Sequence, residues 1–299
     1  MRRRFVTLDV FTDRPFTGNP LAVIVDGEGL DQRAMQTIAR EFNLPETVFV
    51  LPPADAKHAA KLRIFTPALE LPFAGHPTVG TAVLLGSSDG PAKTRDIVLE
   101  EAIGAVHCRV ETLDSARGRA WFLAPRLPEE AGRGLETAAI AAALNLSPAD
   151  IGFQDFHPAR WSAGVPFTFV PVRGLKAIAG ARPDLSRFDA VFGDNGPGKA
   201  YLFCAETADT EHDFHARMFA PSLGIPEDPA TGAAAAAFTG FLAATRRLDD
   251  GEHIFRVEQG YEMGRPSLIE LALTIGDGAL RTATIGGGAV TISEGTIEV

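Results

Sequence analysis

Arg63–Ala82 reads RIFTPALELPFAGHPTVGTA, and Arg217–Ala235 reads RMFAPSLGIPEDPATGAAA. Arg63, Phe65, Pro67 and Leu69 return as Arg217, Phe219, Pro221 and Leu223 at a constant offset of 154. After a two-residue slip, His76-Pro77, Gly80 and Ala82 return as Asp228-Pro229, Gly232 and Ala234 at an offset of 152. A weaker echo pairs Gly18-Asn19-Pro20 before LAVI with Gly164-Val165-Pro166 before FTFV, at 146. Self-similarity on this scale sets the architecture before any single element does. The chain reads as two copies of one fold, facing each other across a cleft.

In each copy an extended run ends at a proline-bearing loop and gives way to small residues, Thr78–Leu85 in the first and Ala230–Ala244 in the second. The second of these is apolar nearly all round, which predicts a buried helix. Pro77 and Pro229 suit a first helical turn, where a missing N–H costs nothing. His76 and Asp228 then fall at or just before helix N-termini. Unpaired N–H groups and partial positive charge there make an anion cradle, and Gly75, Gly80 and Gly232 let a ligand approach the backbone closely. Simple N-capping competes with this reading for Asp228, and a structural hydrogen bond at a turn competes for His76.

Outward from these motifs, short runs rich in Val, Ile, Thr and Phe predict strands at 5–11, 21–25, 47–51, 61–65, 97–100, 105–111, 119–123, 167–172, 200–204 and 214–219. Four more are predicted at 254–259, 268–274, 280–285 and 289–292, with Gly286-Gly287-Gly288 as a turn or bulge between the last two. Helical periodicity places Met35, Ile38, Ala39 and Phe42 on one face of Asp31–Phe42. Glu136–Leu144 is Ala-rich and helix-prone, and Ser147-Pro148 reads as a cap with proline at the first helical position. Many strands and few helices give an α+β fold with large, mainly antiparallel sheets.

A length of 299 residues exceeds what one core usually carries, so two domains are expected. Hydrophobic residues at 45% and charged residues at 22% are ordinary globular values. The formal net charge of −10 argues against nucleic acid or an anionic membrane surface as partner. An anionic substrate must therefore be drawn in by a local feature. Two cysteines, Cys108 and Cys204, fit a cytosolic protein, and MRRRFVTLDVF reads as a first strand instead of a signal peptide. No stretch approaches a membrane span, so a cytoplasmic location is expected.

The blocks GNPLAVI (Gly18–Ile24), NLPETVFV (Asn43–Val50), FTPALELPFAGHPTVGTA (Phe65–Ala82), EDPATGAAA (Glu227–Ala235) and QGYEMGRPS (Gln259–Ser267) resemble the signature blocks of the PhzF-like isomerases of phenazine biosynthesis, within the diaminopimelate-epimerase-like fold. They occur in the family's order and spread over nearly the whole chain. The resemblance implies two pseudo-symmetric lobes, each a curved sheet wrapped around a central helix, at 1–118 (joined by the C-terminal strand 289–299) and 119–288. It also implies a small carboxylic-acid substrate, no cofactor or metal, and a homodimer. The family's catalytic residues fall on Glu46, His76 and Asp228, and substrate contacts fall on Gly75, Pro77, Thr78, Gly80, Thr231, Gly232 and Ala233.

Read from the sequence alone, Glu46 is an exposed residue at a turn. Through the resemblance it becomes the single base, with Pro45, Val48 and Phe49 beside it to desolvate the carboxyl and raise its pKa. Its counterpart by the weak echo is Phe192, so the second copy lacks a matching acid. Ala233 departs from the serine that many family members carry after the glycine of the second motif, which weakens the case for the phenazine precursor itself. A same-fold racemase would use paired cysteines at the helix starts, whereas Cys108 and Cys204 lie in strand-like segments. A non-catalytic binding protein is a further alternative. His107 and Cys108 are neighbours in a strand and cannot form a dyad, and His212 and His215 are read as pointing to opposite faces.

Overall fold

The computed structural model describes residues 2–87, 93–132, 135–193 and 196–299. The chain divides into two compact units, one formed by Met1–Pro125 with Ile285–Val299 and the other by Arg126–Thr284.

In the first unit, β1 (Arg2–Val10) pairs antiparallel with β2 (Asn19–Ile24), and β2 runs parallel to β3 (Glu46–Leu51). Antiparallel pairing continues from β3 to β4 (Ala60–Phe65) and from β4 to the short β5 (Glu70–Leu71). Beyond a parallel step to β6 (Lys93–Glu101) come β7 (Gly104–Thr112) and β8 (Arg117–Leu123), again antiparallel. The helix α1 (Gln32–Phe42) starts at Asp31, whose side chain accepts from the Ala34 amide, and it buries Met35, Ile38 and Ala39 on the face its periodicity marks. The central helix α2 (Gly75–Gly86) is buried almost throughout and packs against β1, β2, β3, β6, β7 and β8.

The second unit repeats this plan. After the short β9 (Glu129–Glu130) come β10 (Ala159–Ser162), β11 (Pro166–Pro171) and β12 (Ala200–Cys204), the last pair parallel as in β2–β3. β13 (Phe214–Ala220) pairs antiparallel with β12 and with β14 (Ile225–Asp228), and parallel with β15 (Gly251–Gln259), which returns through β16 (Ser267–Gly276). Arg63 makes a two-pronged bond to Glu70 and lies over Phe65; Arg217 does the same with Glu227 and Phe219. The repeat thus extends to side-chain contacts. Around it stand α3 (Thr137–Leu144), α4 (Leu175–Gly180) and α5 (Phe188–Phe192), and the buried α6 (Gly232–Arg246) packs against β9, β10, β11 and β16. Phe238 and Phe241 of α6 stack on Phe169 and meet Phe203 edge-on, forming the aromatic core of this unit.

Two expectations change. Gly286-Gly287-Gly288 is no turn, because β17 (Ala279–Glu298) runs through it as one strand and ends paired with β1. The glycines serve close approach: a Cβ on Gly286 would meet Trp121 and the Ala120 carbonyl, and one on Gly288 would stand 2.5 Å from the Thr12 carbonyl. The first unit also takes in β8, which pairs with β7, so the compact units part at 125/126 and 284/285 instead of 118/119 and 288/289.

Candidate active site

Glu46 is the first residue of β3 and only 8% exposed, far from the surface residue its composition suggests. His76 lies in the first turn of α2, also buried. Its Nε2 stands 3.2 Å from Glu46 Oε2. On the other side of the ring, Asn19 Nδ2 stands 3.2 Å from Nδ1. An amide NH₂ can only donate, so Nδ1 accepts and the imidazole proton sits on Nε2, facing the glutamate. Burial pushes the His76 ring down to about 3, so it is neutral at physiological pH. The first unit therefore holds a buried carboxyl beside a neutral imidazole of fixed tautomer.

Asp228 ends β14 and is buried. Its Oδ2 accepts from the Thr231 hydroxyl at 2.6 Å. Gln259, the last residue of β15, donates from Nε2 to the Asp228 carbonyl at 2.7 Å and accepts from the Thr231 amide at 3.2 Å. Gly260, at φ +80, lets its backbone pass under Pro229, whose carbonyl would lie 2.6 Å from an added Cβ. The N-cap of α6 is Thr231, not Asp228, so Pro229 lies ahead of the helix instead of in its first turn. In neither α2 nor α6 does the N-cap side chain accept from a first-turn amide.

The substrate-contact assignments separate by chemistry. Gly75 and Pro77 flank His76 in the first turn, and Gly80 packs against Val10 and Leu21. Thr78 turns its hydroxyl into the core, onto the Ala74 carbonyl and Glu101. Gly232 is buried and Ala233 half-buried at the start of α6. Asn19 and Gln259 are the residues sequence reasoning passed over, although both lie in blocks that carry the family resemblance. Their signal is a polar amide at the end of an otherwise apolar strand, next to a proline or glycine turn.

Strand register corrects the counterpart of Glu46. Thr47 stands opposite Phe65, and Ala200 stands opposite Phe219, the repeat-mate of Phe65. Glu46 therefore corresponds to Lys199, not Phe192; α4 and α5 lengthen the second copy ahead of β12 and shift the count. The second unit still has no matching acid.

His212 and His215 do not point apart. His212 lies before β13, and Nδ1 of each ring meets one oxygen of Glu258, at 2.7 and 2.6 Å. Among the described residues no cluster of three or more His, Cys, Asp or Glu is arranged to hold a metal. Cys108 and Cys204 are buried free thiols; burial pushes Cys108 up, and Cys204 up to about 12, which opposes thiolate chemistry. No described helix is long and apolar enough to cross a membrane.

A model of the phenazine biosynthesis-like (PhzC-PhzF) family matches residues 8–295. An uncharacterized isomerase of Mesorhizobium japonicum is 46% identical over 99% of this chain and 98% of its own. The trans-2,3-dihydro-3-hydroxyanthranilate isomerase of Pseudomonas chlororaphis is 33% identical over 98% of both chains. The crystal structure of a PhzF-family phenazine biosynthesis protein from Bacillus anthracis superposes with a TM-score of 0.89 at 25% identity, covering 100% of both chains.

Proposed function

The chain belongs to the phenazine biosynthesis-like (PhzC-PhzF) family and is an isomerase of it, and we propose that it moves a proton on a small carboxylic acid with Glu46 as general acid and base and without a cofactor. The observation that carries this reading is the Glu46–His76–Asn19 arrangement, with a buried carboxyl 3.2 Å from an imidazole whose proton is held on the facing nitrogen. Glu46 removes a proton from an acidic carbon. The electrons of the broken C–H bond form a new double bond to the neighbouring carbon, the pair of the old double bond shifts to its far carbon, and the protonated carboxyl returns the same proton there. No atom is gained or lost, and Glu46 ends as it began.

His76, neutral, presents its Nε2 to Glu46 Oε2 at 3.2 Å, close enough to steady the carboxylate when it is charged. The start of α2, beside His76 and Glu46, supports docking of the substrate carboxylate on backbone N–H groups, which reconciles an anionic ligand with a chain of net charge −10. Asp228, bonded to Thr231, supports a role in orienting the substrate. Ala233 offers no hydroxyl, so the substrate is a relative of trans-2,3-dihydro-3-hydroxyanthranilate that needs one hydrogen bond fewer. The family resemblance also carries a homodimer, which light scattering on the purified protein tests.

The test is proton NMR of trans-2,3-dihydro-3-hydroxyanthranilate and a panel of unsaturated or hydroxylated small acids, with protein dialysed against chelator and no cofactor added. New product signals support the reading. Turnover that appears only on adding a metal or organic cofactor overturns it, as does silence across the panel.

A further inference from the structure

The proton transfer described above leaves Glu101 unused, although it is a deeply buried carboxyl under the helix that carries His76. It ends β6, where strand alternation turns it to the core side with Leu99, while Glu100 turns outward to the amides of Ala54 and Asp55 and to His58. Glu101 is 7% exposed. Its Oε1 lies 2.6 Å from the Thr78 hydroxyl oxygen, and that same hydroxyl lies 2.8 Å from the carbonyl of Ala74, the N-cap of α2. Its Oε2 is buried with no hydrogen-bond partner among the described residues.

Counting protons decides the charge state. Thr78 has one hydroxyl hydrogen, the Ala74 carbonyl only accepts, and an ionised Glu101 would also only accept. Both short contacts are satisfied together when the carboxyl brings its own hydrogen: Glu101 donates to Thr78, and Thr78 donates to Ala74. We infer that Glu101 is a positioning residue, a neutral carboxylic acid whose hydrogen-bond chain through Thr78 to the Ala74 carbonyl holds the first turn of α2 and so sets His76 against Glu46. The inference rests on the reading of Glu46 and His76 as the reacting pair.

The surroundings agree. Burial pushes the Glu101 carboxyl up to about 8, against the opposing Thr78 bond. The titratable groups on the elements packed against it are neutral or turned away. On α2 there is only His76, held neutral by burial, and on β7 Cys108 is likewise pushed up by burial while His107 and Arg109 are exposed. On β4, Lys61 stands opposite Glu100. An ionised Glu101 would compete for the Thr78 hydrogen and place negative charge beneath a helix start that receives a carboxylate. KM for the substrate therefore rises as the pH passes about 8.

Infrared spectra of resting protein, wild type against Glu101→Gln, test the charge state without substrate. A buried carboxylic-acid C=O band, present at pH 7, absent from the variant and lost above about pH 8, is the expected result. A carboxylate at pH 7 overturns the inference, and because no turnover is needed, that failure is distinct from failure of the isomerase reading. If Glu101→Gln does not fold, the same titration of wild type with 13C-labelled glutamate decides. In kinetics, Glu101→Ala raises KM about tenfold, the scale of one lost buried hydrogen bond. Glu101→Gln, which keeps the donor, restores it and abolishes the alkaline rise. An alkaline rise that persists in Glu101→Gln overturns the inference, as do wild-type kinetics in a Glu101→Ala variant that melts normally.

Discussion

His215 stands between two carboxylates, its Nδ1 2.6 Å from Glu258 Oε1 and its Nε2 3.0 Å from Glu262 Oε1. Both ring nitrogens face acceptors, so the ring is an imidazolium. Burial opposes that charge, but the bonds to Glu258 and Glu262 outweigh it and bring the ring up to about 9. Because the folded value lies above the unfolded 6.5, the contribution is fully present below pH 6.5 and is lost as the pH climbs through about 9. At roughly 1.4 kcal/mol per pH unit over that window, the charge contributes about 3 kcal/mol. For a unit of this size that is a melting shift of roughly 6–12 °C. Scanning calorimetry of wild type and His215→Gln from pH 6 to pH 9.5 reads it. The gap between the two proteins is wide at pH 6 and closes towards pH 9; other titrations, Glu101 included, are common to both and cancel. A gap that stays constant or widens with pH refutes the assignment of charge to His215.

Phe238→Ala removes a fully buried ring whose centroid lies 4.8 Å from that of Phe203 and 5.3 Å from that of Phe214. It should destabilise the protein by about 3–5 kcal/mol, read as a denaturation midpoint. Asp228→Asn keeps an oxygen for the Thr231 hydroxyl, so melting should stay near wild type while turnover falls about tenfold to hundredfold. Normal turnover with lowered stability would make Asp228 a structural residue only.

The internal repeat was legible because Arg63, Phe65 and the proline loop recur in the same order, and strand alternation marked most of the sheet. β12 begins and ends where its apolar, aromatic-bearing run predicts, Ala200 to Cys204. Glu46 was legible through the family resemblance alone, since nothing local to it reports that it is buried, whereas the repeat by itself singled out His76 and Asp228 at predicted helix starts. Asn19 and Gln259 act on atoms far away in sequence, His76 in one case and Asp228 with Thr231 in the other, and such pairings exist only once the sheets have formed. Counting from a weak motif failed for the partner of Glu46 because α4 and α5 add residues that no offset anticipates. The reading of His212 and His215 failed for a related reason: strand alternation was applied to His212, which precedes the strand.

The most direct test of Glu46 is Glu46→Gln beside wild type, on whichever acid of the panel wild type converts. The variant keeps the volume and burial of the side chain but cannot take a proton from carbon. The account predicts unchanged melting and a fall in kcat of at least about 10²- to 10⁴-fold. A folded Glu46→Gln protein that turns substrate over at the wild-type rate would contradict it.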